Sequence, residues 1–77
     1  MEYTILIHQA EEGGFWAEVP ALTGCFSQGE TIEETMKNTS EAIEAYIQCL
    51  KDDHEPVPHE DNLIISRVRV DYGSIPA

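Results

Sequence analysis

Basic residues are scarce in this chain of 77 residues, which has four Lys and Arg against 15 Asp and Glu and a net charge of −11. Such a surface repels phosphate backbones, so we do not expect this chain to bind nucleic acid directly. It attracts a basic partner and speeds the encounter with it. The charge leaves two interpretations open: a binder of a basic partner, or a small protein that its charge keeps soluble.

Long apolar runs are also missing. No stretch approaches the roughly 20 apolar residues that cross a bilayer. The N-terminus has Glu2 and a broken apolar run, which does not fit a signal peptide. Only two cysteines occur, Cys25 at a predicted strand start and Cys49 near a predicted helix end, so no disulfide framework is indicated. We expect a cytoplasmic protein without a membrane segment.

The length allows one domain at most. A domain this small buries only about 60% of its unfolded surface, so its stability is marginal. Oligomerisation is a common remedy for that shortfall. The hydrophobic content of 42% is ordinary for a globular domain.

Turn signals divide the first part of the chain into three predicted strands. Gly13 and Gly14 favour a hairpin turn, and Pro20 ends a strand because it has no amide donor. Apolar residues occupy both faces near Leu6, which is typical of a central strand. The strands are expected over Tyr3–Gln9, Phe15–Val19 and Cys25–Gln28.

One long helix follows. Thr31 is the predicted N-cap, and Glu34 three residues later completes a capping box. The helix is expected to end at Asp52 or Asp53, because Pro56 and Pro58 cannot continue it. Spacings of three and four predict one buried stripe. Its members are Ile32, Met36, Thr39, Ile43, Tyr46 or Ile47, and Leu50.

A fourth strand is predicted over Leu63–Val70, which is rich in β-branched residues. The order β-β-β-α-β gives an α+β fold. It has an antiparallel three-stranded sheet, a fourth strand parallel to strand one, and one helix packed on one face. This order is also the opening of a ribonuclease H-like fold. The uncovered sheet face carries either Leu6 and Trp16, or Tyr3, Ile5, Phe15 and Val19. Such a face binds a second copy most cheaply, so we expect a homo-oligomer, a dimer or larger.

Catalytic constellations are not found. Ribonuclease H-like nucleases need carboxylates from the first strand, the helix and the fourth strand around two metal ions, and both strands lack acids here. His8, His54 and His59 match no strong ligand spacing. Cys25 has no neighbouring Lys or Arg to activate its thiol. We expect no enzyme activity, no metal and no cofactor.

The stretch from Gly13 to Thr31, GGFWAEVPALTGCFSQGET, and the helix after it up to Pro58 resemble the HicB-like antitoxin family. The resemblance implies a partial ribonuclease H-like fold without nuclease chemistry. It also implies a small basic partner, the mRNA-cleaving toxin HicA, which family members neutralise by binding over its active face.

Many family members carry a C-terminal DNA-binding module, and this chain ends at Ala77, where that module would begin. We therefore expect a single HicB-like domain over residues 1–77 with no such module. Two alternatives are a stand-alone dimeric scaffold or small-molecule-binding protein without a toxin partner, and a hydrolase on the same fold. Trp16 is either a core or dimer contact or an interface anchor. The predicted partner-binding residues are Glu33, Glu34, Glu41, Glu44 and Trp16.

Overall fold

The computed structural model describes residues 1–61 and 63–74, in which a three-stranded antiparallel sheet is covered on one face by one helix. The three predicted strands and the helix are confirmed. The strand order is β1-β2-β3, so β1 and β3 are the edges. The elements are β1 (Leu6–Gln9), β2 (Phe15–Glu18), β3 (Phe26–Gly29), α1 (Ile32–Asp52) and a short 3-10 helix (Tyr72–Ser74). Residue 62 and residues 75–77 lie outside the described residues.

The first strand is shorter than predicted, since its ladder starts at Leu6 rather than Tyr3. Leu6 pairs with Glu18 in an antiparallel register, which places residue 4 opposite Pro20. Proline has no N–H to donate, so the ladder ends there. The same proline that closes β2 therefore also sets where β1 begins.

The corner between β2 and β3 forms the centre of the core. Val19, Leu22 and Cys25 are buried there, with Leu22 only 1% exposed. Their backbones close a compact loop: Val19 N donates to Cys25 O, Leu22 N to Val19 O, and Cys25 N to Leu22 O, each at 3.0 Å. The hydroxyl of Tyr46 donates to Thr23 O at 2.9 Å and so ties α1 to this corner.

The helix begins and ends where the local signals predict. The Thr31 hydroxyl accepts a hydrogen bond from Glu34 N at 3.0 Å, as an N-cap does. At the other end Asp53 is the C-cap, and its N–H bonds Cys49 O at 3.1 Å. Both ends are thus satisfied by local hydrogen bonds.

The predicted buried stripe is wrong in the first turns of α1. Ile32 and Met36 are 46% and 51% exposed, whereas Thr35 and Thr39 are fully buried. The cause is the close approach of β3, because a Cβ on Gly29 would lie only 2.7 Å from Thr35 N. Only a small side chain fits at such a contact. The two buried hydroxyls are satisfied: that of Thr35 donates to Thr31 O and that of Thr39 to Thr35 O.

The predicted fourth strand is not confirmed. Residues 63–70 are described and form neither helix nor strand, and all eight are exposed. Within the described chain no strand pairs with the outer edge of β1. The helix lies over β3 and β2.

Candidate partner-binding surfaces

The structure decides between the two predicted open faces. Ala17 is fully buried under the helix, and its neighbours in sequence point the other way. Trp16 and Leu6 therefore lie on the face away from α1. The strand register identifies the remaining residues on this side of the sheet, which we call the open sheet face. It consists of two cross-strand rows, Leu6–Glu18–Phe26 and His8–Trp16–Gln28.

An aromatic pair and an acid occupy the middle of the open sheet face. The rings of His8 and Trp16 are stacked with centroids 4.2 Å apart and an interplanar angle of 19°. His8 Nε2 lies 2.8 Å from Glu18 Oε2. These contacts hold the indole in place while 38% of Trp16 stays exposed, and Phe26 beside it is 66% exposed. A fixed, half-exposed Trp next to apolar surface is the kind of group that anchors protein interfaces.

The predicted helix acids divide into two kinds. Glu33, Glu41 and Glu44 are exposed on α1. Glu34 is also exposed, but it takes part in the cap: its N–H bonds Thr31, and its Oε1 accepts from Glu30 N at 3.3 Å. The carboxylate reaches one residue further back than in the predicted capping box. Glu34 thus has a structural role that the other three acids lack.

The five predicted residues do not form one patch. The helix acids lie on the side of the sheet that α1 covers, and Trp16 lies on the open side. A partner that touched both groups would have to reach around an edge of the sheet. The structure therefore offers two separate surfaces, an acidic helix face and an aromatic open sheet face.

The reactive groups of the described chain are few. Cys25 and Cys49 are both free thiols, and burial raises the pKa of the Cys25 thiol. Among residues 1–61 and 63–74, no three or more His, Cys, Asp and Glu side chains are grouped to hold a metal ion. In the same residues, no helix combines the length and apolar character that a bilayer span needs.

A family model described as the HicB-like antitoxin of a bacterial toxin-antitoxin system matches residues 3–75. The chain belongs to the HicB-like antitoxin family. It is 48% identical over 62 residues to a UPF0150 protein of Synechocystis sp., covering 80% of this chain and 78% of that protein. It is 46% identical over 61 residues to a UPF0150 protein of Thermoplasma acidophilum, covering 79% and 88%.

This antitoxin family membership confirms the resemblance seen in the sequence. It supports a toxin-antitoxin role in general, implies a toxin as partner, and suggests a regulatory rather than an enzymatic role.

Sequence reasoning missed part of the open sheet face. In the sequence, Phe26 falls in a predicted strand without an assigned face, and His8 is considered only as a metal ligand. Trp16 and Glu18 already shared a face by alternation in the sequence. Their partners across the sheet needed the register, which places Phe26 opposite Glu18 and His8 opposite Trp16.

Proposed function

We propose that this chain is an antitoxin that binds a small basic mRNA-cleaving toxin of the HicA type and neutralises it by covering its active face. The family match over residues 3–75 carries the proposal. The net charge of −11 supports it, because a protein that cleaves RNA must present a positive surface to the phosphates. An acidic binder competes for that surface by occlusion, and no bond is formed or broken.

The proposed contacts are the exposed helix acids Glu33, Glu41 and Glu44, with Trp16 as an anchor where the toxin reaches the open sheet face. Glu34 stays a candidate, although its bonds to Thr31 and Glu30 occupy it in the helix cap. Exposed charges act mainly on the association rate and its salt dependence, and a buried aromatic acts mainly on dissociation.

The finer features of the fold are proposals too. We propose that residues 1–77 act as one HicB-like unit in the cytoplasm without binding DNA themselves. In this unit residues 63–70 form a fourth strand beside a β1 edge on assembly, which completes the partial ribonuclease H-like sheet. The exposed apolar side chains of that segment and the unpaired edge of β1 support this.

The test is co-expression of the tagged chain with the untagged product of the adjacent reading frame. We expect a small basic protein to co-purify and the chain to rescue growth from it. Affinity is then measured at low and high salt for the triple variant Glu33→Lys, Glu41→Lys, Glu44→Lys. We expect weaker binding with a smaller salt dependence.

A matched control reverses three exposed acids away from the helix face, with the variant Glu2→Lys, Glu55→Lys, Asp61→Lys. It changes the net charge equally, so a contact role predicts a much smaller loss of affinity. Equal losses in both triple variants would show that only total charge matters. Unchanged affinity in the helix triple would refute the proposed contact.

A stand-alone scaffold is the second candidate. The open sheet face and the exposed apolar residues 63–70 favour it, because both suit self-association. A stand-alone scaffold is expected to form an oligomer with which no neighbouring gene product co-purifies. When that gene product is expressed, growth is expected to be the same with and without the chain.

A further inference from the structure

We propose that the groove between Trp16 and Phe26 on the open sheet face receives an arginine side chain of the basic partner, stacked on the indole and paired with Glu18. The inference rests on the proposed function and deepens it, because it names the group of the toxin that this aromatic surface binds. An arginine held there is withdrawn from the RNA phosphates that it would otherwise contact. Short peptides test the groove without the toxin, so its failure and that of the toxin role are separate results.

One face of the Trp16 indole is covered and the other is open. His8 is the cross-strand neighbour of Trp16 on β1, and its ring stacks on the indole with centroids 4.2 Å apart. The strand order β1-β2-β3 places β3 on the opposite side of Trp16. The uncovered face of the indole is therefore directed along the sheet towards Gln28 and Phe26 on β3.

A groove lies on this uncovered side of the indole. Its volume is about 550 Å³, and it is lined by Trp16, Phe26, Ser27 and Gln28. Trp16 is 38% exposed and Phe26 is 66% exposed, so both rings have apolar area in contact with water. A flat group inserted into the groove covers the face of the indole and the side of Phe26 at once, and it gains from both contacts.

Charge selects a cation for this groove. The first 36 residues contain all three strands, and they have seven acids and no Lys or Arg. Three of these acids surround Trp16: Glu11 and Glu12 line a groove with it on the His8 side, and Glu18 lines another with it and Phe26. The indole thus lies in a negative potential that no Lys or Arg of the strands offsets.

Glu18 supplies the acceptor for that cation. Its Oε2 lies 2.8 Å from His8 Nε2, which holds the carboxylate in place beside the groove. Glu18 stands opposite Phe26 in the sheet register, and 42% of its side chain is exposed. A carboxylate accepts several hydrogen bonds, and Oε1 takes no part in the contact with His8. An N–H donor that enters the groove therefore meets a fixed acceptor.

Arginine fits this arrangement better than other groups. Its guanidinium is planar, stacks on aromatic faces and has five N–H donors, whereas the ammonium of lysine is a strongly hydrated point charge. It lies flat on the indole while one edge donates to Glu18. The chain's own Arg67 and Arg69 are exposed and do not fill the groove. A second copy brings the same net charge of −11, and an RNA base brings phosphates, so both match this acidic face less well.

The first test uses the full chain and short peptides. Trp16 is the single Trp of the chain, so its indole N–H signal in NMR reports on the groove. The probes are tetra-arginine, tetra-lysine and tetra-citrulline, which keeps the shape of arginine without its charge. Tetra-arginine is expected to shift the Trp16 signal most, tetra-lysine less and tetra-citrulline least. Equal shifts with arginine and lysine, or no shift with arginine, would overturn the proposal.

Variants separate the groove from general attraction between opposite charges. Glu18→Gln and Phe26→Leu are each expected to weaken tetra-arginine binding by about two- to fivefold, the range of one exposed cation–π contact. Glu55→Gln is the matched control, because it removes one exposed acid beyond the end of α1, and it is expected to bind as wild type does. Equal losses in Glu18→Gln and Glu55→Gln would show that only total charge acts. Far-UV circular dichroism verifies that each variant keeps the helix.

The second test measures the affinity of the full chain for the co-purified toxin. Trp16→Phe is expected to bind more weakly than wild type and Trp16→Leu more weakly still, because Phe keeps a smaller cation–π attraction and Leu has none. If Trp16→Leu binds the toxin as tightly as wild type, the groove is refuted and the toxin role stands. If no toxin co-purifies, the peptide titrations still decide whether the groove binds arginine.

Other occupants of the groove give different results, and each of these would overturn the proposal. A Trp16 signal that shifts with oligouridylate rather than with tetra-arginine indicates a site for RNA bases. A signal that changes when wild type alone is diluted indicates a second copy of the chain. A signal that changes in the variant Arg67→Gln, Arg69→Gln without any peptide indicates an arginine of this chain.

Discussion

Replacing Gly29 by alanine tests how α1 is seated on the sheet. The added Cβ would lie 2.7 Å from Thr35 N, 2.8 Å from Thr35 Oγ1 and 3.0 Å from the carbonyl carbon of Glu34. Two of these three atoms belong to the helix backbone, so no side-chain rotation removes the clash. Ordinary contacts need about 3.5 Å or more, and the helix must therefore shift away from β3.

The change in the free energy of unfolding of Gly29→Ala is the sum of two opposing contributions. Gly29 has no positive φ, so alanine itself is allowed there and recovers about 0.5–1 kcal/mol of backbone entropy. Overpacking against a fixed neighbour costs about 1–3 kcal/mol. The net loss is at most about 2.5 kcal/mol. Each kcal/mol lowers the Tm of a domain this small by about 4–8 °C.

The assay is thermal unfolding followed by circular dichroism at one protein concentration, with urea unfolding as a second measure. Gly73→Ala is the matched control, because Gly73 also has no positive φ and its added Cβ meets nothing closer than 3.4 Å. We expect the Tm of Gly29→Ala to lie several degrees below that of wild type. The Tm of Gly73→Ala is expected to equal that of wild type. If Gly29→Ala keeps the wild-type Tm, the tight seating of α1 described above is incorrect.

Four further predictions concern the cap, the core and the thiols. Thr31→Ala should lower the free energy of unfolding, measured by urea titration, by about 0.5–2 kcal/mol, since Glu34 N loses its acceptor. Thr31→Ser keeps a hydroxyl at the cap and should retain most of the wild-type stability. Leu22→Ala should cost about 2–5 kcal/mol, because this side chain is 1% exposed, and a loss below 1 kcal/mol would argue against its place in the core. Ellman's reagent should modify the exposed Cys49 in the native protein and Cys25 only on unfolding. Because burial raises the pKa of Cys25 above its ordinary value of 9.0, the unfolded thiol ionises first, so stability should fall as pH rises above about 9, and less so in Cys25→Ala.

Local signals were sufficient for the order of the three strands and the helix. Pro20 ends β2, and the glycines at 13 and 14 form the turn after β1, where both adopt positive φ. Thr31 starts α1 because its side chain satisfies a nearby N–H whatever the rest of the fold does. Such interactions span only a few residues, so the sequence around them is enough to predict them.

Periodicity failed where two elements approach closely. It placed Ile32 and Met36 in the core, but the contact between Gly29 and Thr35 leaves room only for a small residue and turns the larger ones outward. The position of the helix is set by the closest backbone contact it can make with β3. Hydrophobic spacing along α1 contains no information about that distance.

The candidate site was predictable in its charge and not in its layout. The acids of α1 and the excess of negative charge are present in the sequence. That Trp16 lies on the side away from those acids follows from the strand register and from which face the helix covers. The separation of the acidic helix face from the open sheet face is therefore a result of tertiary packing.

The sequence alone determined the order of the three strands and the helix, where that helix begins and ends, and the net charge, because short-range hydrogen bonds, proline geometry and composition act without reference to distant residues. Only the tertiary structure decided which sheet face stays open, which helix residues are buried, and that residues 63–70 stay unpaired in one chain. Those outcomes depend on contacts between residues far apart in sequence. The helix covers β3 and β2, and this leaves β1 with an open edge.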